Sequence, residues 1–90
     1  MANFFISTEA QRLADRPYSE IIFPDLTTDG QPIYVAKSPE FLACIADGDT
    51  AEEALATLKV VRAIIIQHYL EHNVAVPIPQ SQFTALGTGL

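Results

Sequence analysis

The stretch Ala46-Asp47-Gly48-Asp49-Thr50-Ala51-Glu52-Glu53-Ala54 decides the fold, because a segment with strand character ends inside it and a long helix begins. Gly48 can take a positive φ without strain at Cβ, which suits an extended segment that changes direction at once. Asp49 or Thr50 offers a side-chain oxygen to the free N–H groups of the first helical turn. Thr50-x-x-Glu53 has capping-box spacing, and acidic side chains in this turn suit the helix dipole. The pattern predicts a helix start here.

The length, composition and net charge of the chain limit the classes of function that it can have. Ninety residues suffice for one small domain, and 49% hydrophobic residues indicate a folded chain. Such a domain buries a smaller fraction of its surface than a larger one, which makes extra stability from self-association plausible. The net charge of −6 and the five Lys and Arg residues argue against direct nucleic-acid binding, since phosphate contacts need clustered basic side chains. A basic protein partner suits this charge better.

The cysteine content and the hydrophobic runs indicate the compartment. The single Cys44 cannot form an internal disulfide, and its place in the apolar run Phe41–Ala46 is typical of a buried, reduced thiol. Residues Asn3–Ile6 are too short for a signal peptide, and Val60–Ile66 is far shorter than a membrane span and is interrupted by Arg62. We expect a cytoplasmic protein without a membrane span.

A short accessory helix is predicted near the amino terminus. Ser7 or Thr8 can cap a helix that runs to about Asp15, and Pro17 stops it. Its apolar side is thin, so we expect it to cover one edge of a sheet. The residues of that side are Phe4, Phe5, Ala10, Leu13 and Ala14.

Three strands are predicted between this helix and the junction. They span Tyr18–Phe23, Ile33 to Ala36 or Lys37, and Phe41 or Leu42 to Ala46. Pro24-Asp25 ends the first strand, and the turn residues that follow include Asp29-Gly30. Short, turn-rich links imply an antiparallel meander, and the whole chain therefore reads as one α+β domain with the sheet packed on the long helix.

The long helix carries an apolar stripe with a period of three to four residues. Its members are Ala51, Ala54, Leu55, Leu58, Val61, Ile65, Ile66 and Tyr69. Arg62 falls inside the stripe, where it either snorkels along apolar surface or pairs with a carboxylate. Val60 and Ile64 fall outside it, and together with Ala56 and Ala63 they suggest a second buried face, which we interpret as a homo-oligomer interface.

The carboxyl-terminal part ends the helix and leaves a tail. Asn73 can close the helix in the left-handed conformation, and Pro77 and Pro79 prevent its continuation. In the tail, residues 80–90, only Gln82–Leu86 has strand character, and it either adds a strand or is disordered.

The order of several short motifs resembles the HicB-like antitoxin family. The motifs are Ile33-Tyr34-Val35-Ala36, Ser38-Pro39-Glu40, Cys44-Ile45-Ala46-Asp47-Gly48-Asp49-Thr50, Glu52-Glu53-Ala54-Leu55 and Val76-Pro77-Ile78-Pro79. The resemblance covers about residues 18–79, with residues 1–17 as an accessory helix. It implies a partly degraded ribonuclease-H-like fold and a protein that binds and masks HicA, a small basic ribonuclease toxin. Many members also carry a DNA-binding domain, for which the eleven residues after Pro79 are too few.

Catalysis and metal binding have weaker support in the sequence. Asp25, Asp29 and Asp47 are among the acids that a metal-dependent nuclease would need, but turns and helix capping explain the acids of the junction. His68 and His72 share a helix face, yet no further Cys or His completes a metal site, so solvated histidines favourable to the helix dipole are the better interpretation. We predict a protein that is not an enzyme and has no cofactor.

Two functional hypotheses follow from these patterns. In the first, the chain is an antitoxin-like protein that blocks a basic toxin, and the candidate contacts are Asp25, Asp29, Glu40 and Asp47. Taken singly, each of these residues is better explained as an exposed loop acid without a partner. In the second, it is a stand-alone structural or regulatory oligomer of the same fold.

Overall fold

The protein is a three-stranded antiparallel sheet with a long helix on one face, as the sequence predicts. The structure is a computed structural model that describes residues 5–80. The elements in chain order are α1 (Thr8–Ala14), β1 (Ile21–Leu26), β2 (Pro32–Lys37), β3 (Ile45–Gly48) and α2 (Ala51–Glu71). The strand order is β1-β2-β3 with both pairs antiparallel, and α2 packs on the sheet. The predicted fragment Gln82–Leu86 lies outside the described residues.

The predicted start and end of α2 are both confirmed. Thr50 is the N-cap, and its hydroxyl accepts a hydrogen bond from the backbone N–H of Glu53 at 3.1 Å. The Glu53 carboxylate in turn accepts the N–H of Asp49 at 2.9 Å, one residue earlier than in a standard capping box. At the other end His72 is the C-cap and Asn73 has a φ of 55°.

The role predicted for Gly48 is wrong. Among the described glycines only Gly30, in the β1–β2 turn, has a positive φ, whereas Gly48 is the last residue of β3. A Cβ at Gly48 would lie 2.6 Å from the backbone nitrogen of Ala54 and 2.7 Å from the Cβ of Glu53. Glycine is therefore required here because the first turn of α2 folds back closely onto the strand.

The predicted bounds of the first and third strands are also wrong. β1 begins at Ile21 and continues through Pro24, which an edge strand tolerates because one side of its backbone lacks a ladder partner. Tyr18, the predicted first strand residue, is instead buried in the core. β3 begins only at Ile45, because the preceding residues form a loop that the Ser38 N–H closes onto the Cys44 carbonyl at 3.0 Å.

Helix α1 packs on α2 and makes no contact with the sheet, contrary to the prediction that it covers a sheet edge. Ala10 and Ala14 are buried in the same cluster as Ala63 of α2, while Phe5 is 72% exposed. The sequence predicts Ala63 on a buried face that contacts another subunit, but it is buried with Ala10 and Ala14 of α1 in the same chain. Because α1 packs beside it, α2 is buried on the side that faces α1 as well as on the side that faces the sheet.

Arg62 joins the two helices and the residues that flank the sheet strands. Its side chain is 2% exposed, and its Nε and Nη2 donate to the carbonyl of Ala14, the last residue of α1, at 3.1 and 3.0 Å. Its Nη1 lies 3.2 Å from the Glu20 carboxylate, and its guanidinium stands over the Tyr18 ring at 5.3 Å. This agrees with the carboxylate pairing that the sequence left open, and it satisfies a helix-end carbonyl that has no partner within α1.

Candidate protein-binding face

The face of the sheet that points away from α2 forms a candidate binding surface. Ala36 is fully buried in the core cluster on the helix side, so its neighbours Val35 and Lys37 point to the opposite side. Strand register adds flanking residues, since Phe23 and Asp47 pair with Val35 on one rung. We call this surface the open face, and its members are Ile21, Phe23, Asp25, Ile33, Val35, Lys37, Ile45 and Asp47.

The centre of the open face is apolar. Phe23 and Val35 lie on the middle rung, where Val35 is 7% exposed. Ile21 and Ile45, each 49% exposed, lie on either side of Lys37, and none of these apolar residues belongs to the core cluster beneath α2. A shallow depression of about 260 Å³ is lined by Val35, Ile45, Ala46 and Asp47. Within residues 5–80, α2 occupies the other side of the sheet and α1 contacts only α2, so neither helix covers this face.

Three of the four predicted contact acids stand around this centre. Asp25 is paired with Ile33, and Asp47 is paired with Val35 two residues further along β2, so both carboxylates lie on the open face toward the same end of the sheet. Asp29 lies in the adjoining β1–β2 turn, where the Thr27 hydroxyl donates to its carboxylate.

No cation neutralises these three acids within the described chain. All three are exposed, and the ion pairs between described residues are Arg12–Glu9 and Arg62–Glu20. The arrangement is an apolar centre with a charged rim, which is the usual anatomy of a protein–protein interface.

Glu40, the fourth predicted contact, has a structural role at the opposite end of the sheet. One oxygen of its carboxylate accepts the backbone N–H groups of Ser19 and Gln80, each at 2.8 Å. Burial acts to raise the pKa of Glu40, but these hydrogen bonds outweigh it and the pKa lies below its ordinary value. Glu40 thus joins the loop after β2 to Ser19, which precedes β1, and to Gln80, which follows Pro79. Its carboxylate is engaged within the chain and is not a free surface acid.

The predicted oligomer contacts lie on the side of α2 that faces solvent. Val60 is 54% and Ile64 36% exposed, which is unusual for two aliphatic side chains one turn apart. Ile64 borders an apolar groove of about 540 Å³ between α2 and the loop before β3. That loop contributes Leu42, which is 87% exposed and which the sequence patterns did not single out.

The remaining candidate side chains do not form a reactive centre in the described part of the chain. The rings of His68 and His72 lie 4.1 Å apart, and the Nδ1 of His72 is 2.9 Å from the His68 carbonyl. Residues 5–80 contain no group of three or more His, Cys, Asp or Glu side chains placed to hold a metal ion. Cys44 is buried, and burial raises the pKa of its thiol, which makes it a poor nucleophile.

The length and apolar character of a helix decide whether it can cross a bilayer. Between residues 5 and 80 no helix has both the length and the apolar character required to cross a bilayer.

Comparisons with known proteins give no assignment. Neither a family model, nor a curated protein, nor a solved structure matches the chain.

Proposed function

We propose that this chain is a non-catalytic protein-binding domain that masks a small basic protein, as HicB-like antitoxins mask HicA-type ribonuclease toxins. The observation that carries the proposal is the open face, an apolar sheet surface bordered by unpaired carboxylates. The resemblance over residues 18–79 supplies the class of partner. The two arguments are independent, because the resemblance rests on motif order and the open face rests on strand register.

The chemistry of the open face favours a basic partner over an acidic or neutral one. Exposed Asp25, Asp29 and Asp47 attract Lys and Arg side chains at long range and set the orientation of docking. The hydrophobic contact area that holds the complex once formed comes from Phe23 and Ile33 and from Ile21 and Ile45 on either side of Lys37. Lys37 is the cation on this face, so an acidic side chain of the partner placed opposite it would fix the orientation of docking.

Masking by this surface is steric and electrostatic. A toxin whose catalytic surface binds RNA phosphates must be positively charged, and the open face presents carboxylates to that surface in place of phosphates. The lone, buried thiol of Cys44 suits a reducing compartment, and we place the protein in the cytoplasm.

Co-expression with a small basic protein encoded by an adjacent reading frame, called here the neighbouring basic protein, tests this function. We expect a complex on size exclusion and rescue of growth when that protein is toxic alone. Asp47→Lys should weaken both, whereas Asp15→Lys, which makes the same change from −6 to −4 at the exposed C-cap of α1, should not. Absence of a complex and of rescue would contradict the proposal, and so would equal loss in the two variants.

A second candidate is a stand-alone structural or regulatory oligomer of this fold. The observation that favours it is the exposure of Val60 and Ile64 on α2, which lies on the opposite side of the sheet from the open face. In that case the chain self-associates, and co-expression gives neither a complex nor rescue.

A further inference from the structure

We propose that a second copy of this chain docks in the groove between α2 and the loop before β3, with Leu42 of each copy inserted into the groove of the other. This goes beyond the masking of a basic partner, gives the self-association of the second candidate a defined contact, and uses the side of the molecule that the open face does not. The groove is about 540 Å³ and is apolar, with Val61, Ile64, Ile65 and Tyr69 among its lining residues.

The loop presents Leu42 to solvent in a fixed position. Phe41 is buried, with its ring 4.7 Å from that of Tyr18 and 6.3 Å from that of Tyr69, so the residue that follows is directed outward. The loop is closed at both ends, since Phe41 N–H donates to the Ser38 carbonyl and Ser38 N–H donates to the Cys44 carbonyl. A preorganised side chain loses little entropy on docking.

Charge decides between a second copy and the basic partner. The groove lining contains no Asp or Glu in a chain with eleven of them, so it offers nothing to Lys and Arg. Two copies with a charge of −6 repel one another over most of their surfaces, and this carboxylate-free groove is where that repulsion is least.

The exposed side of α2 is also complementary to itself. Glu53 in its first turn, Val60 and Ile64 in its middle and His68 in its last turn lie within one arc of the helix. A two-fold axis across the middle of the helix makes two copies of α2 antiparallel, with Glu53 of one near His68 of the other and the aliphatic centres in contact. The pair Leu42 and groove is then used twice in one closed dimer.

Sedimentation equilibrium of the full chain tests the proposal, with Leu42→Asp as the principal variant. The wild type should sediment at about 20 kDa, twice the 9.8 kDa chain. Leu42→Asp and Ile64→Glu should raise the dimer dissociation constant by roughly a thousandfold, because a dimer buries each side chain twice. Leu42 makes so little contact within one chain that this variant should keep the circular dichroism spectrum of the wild type.

Leu26→Asp is the matched control. Leu26 is 63% exposed at the far end of β1, and its replacement adds the same charge without touching the groove, so this variant should remain dimeric. A monomeric wild type would overturn the proposal, as would dimers that persist in Leu42→Asp. On dilution, methyl resonances of Ile64 should shift and those of Ile21 and Ile45 should not; the reverse pattern would place the second copy on the open face. Binding of the basic partner should survive in Leu42→Asp, so the two proposals fail separately.

Discussion

Replacement of Arg62 by alanine should remove most of the stability of the fold. The substitution takes two hydrogen bonds from the Ala14 carbonyl, the ionic partner from Glu20 and the cation from the face of the Tyr18 ring. Removal of one partner from a buried pair costs about 3–5 kcal/mol. A chain of this length has a total free energy of unfolding of about 5–13 kcal/mol, so Arg62→Ala should be marginally folded or unfolded.

Urea denaturation followed by circular dichroism measures this loss, and two variants separate its sources. Arg62→Met keeps much of the buried volume and removes the donors, so it should cost about 1–3 kcal/mol, mainly from the unsatisfied Ala14 carbonyl and the unpaired Glu20. Glu20→Gln keeps an acceptor near Nη1 and should cost less than Arg62→Met, because this carboxylate is partly exposed. A loss below about 1 kcal/mol in Arg62→Ala would refute the assignment of Arg62 as the link between the two helices and the residues that flank the sheet strands.

Two further predictions concern the junction and the loop after β2. Gly48→Ala should destabilise the fold by about 1–3 kcal/mol in thermal or urea unfolding, because its Cβ would meet the backbone of Ala54; an unchanged midpoint would show that the approach is not tight. Glu40 has a lowered pKa in the folded state, so its contribution is complete above its ordinary value of 4.5 and is lost as the pH falls through the folded value. Glu40→Gln should therefore be less stable than wild type at pH 7, with the difference shrinking in acid, and an equal difference at pH 3 and pH 7 would contradict the clamp.

Local signals in the sequence predicted the features that depend on neighbouring residues. The cap at Thr50, the left-handed residue at Asn73 and the turn at Asp29-Gly30 each involve atoms within four residues, so their chemistry is visible in the chain. The strand order followed from short links between three β-rich segments.

The errors lie where distant parts of the chain decide the outcome. Tyr18 has strand propensity, but its hydroxyl donates to the Pro77 carbonyl, far along the chain, and the residue packs in the core instead of the sheet. Glu40 looked like a surface acid because its partners, Ser19 and Gln80, lie 21 and 40 residues away. Gly48 was assigned a conformational role when its role is steric, which only the packing of α2 reveals.

The sequence of β1 also contains evidence for the open face that the strand prediction did not use. The run Ile21-Ile22-Phe23 places apolar side chains on both sides of β1, whereas a strand with one solvated face should alternate with polar residues. That run indicates that both faces of the sheet have something to contact. The predicted acids Asp25 and Asp47 gain meaning only when the register places them beside it.

Titration of the isoleucine methyl groups with the neighbouring basic protein distinguishes the open face from α2 as the surface that binds it. Isoleucines mark both sides of the molecule, with Ile21, Ile33 and Ile45 on the open face and Ile64 and Ile66 on α2. If the open face binds the partner, the methyl resonances of the first three should shift or broaden on addition of the protein while that of the buried Ile66 stays in place. Shifts confined to Ile64 and its surroundings, with the open face unchanged, would contradict the account.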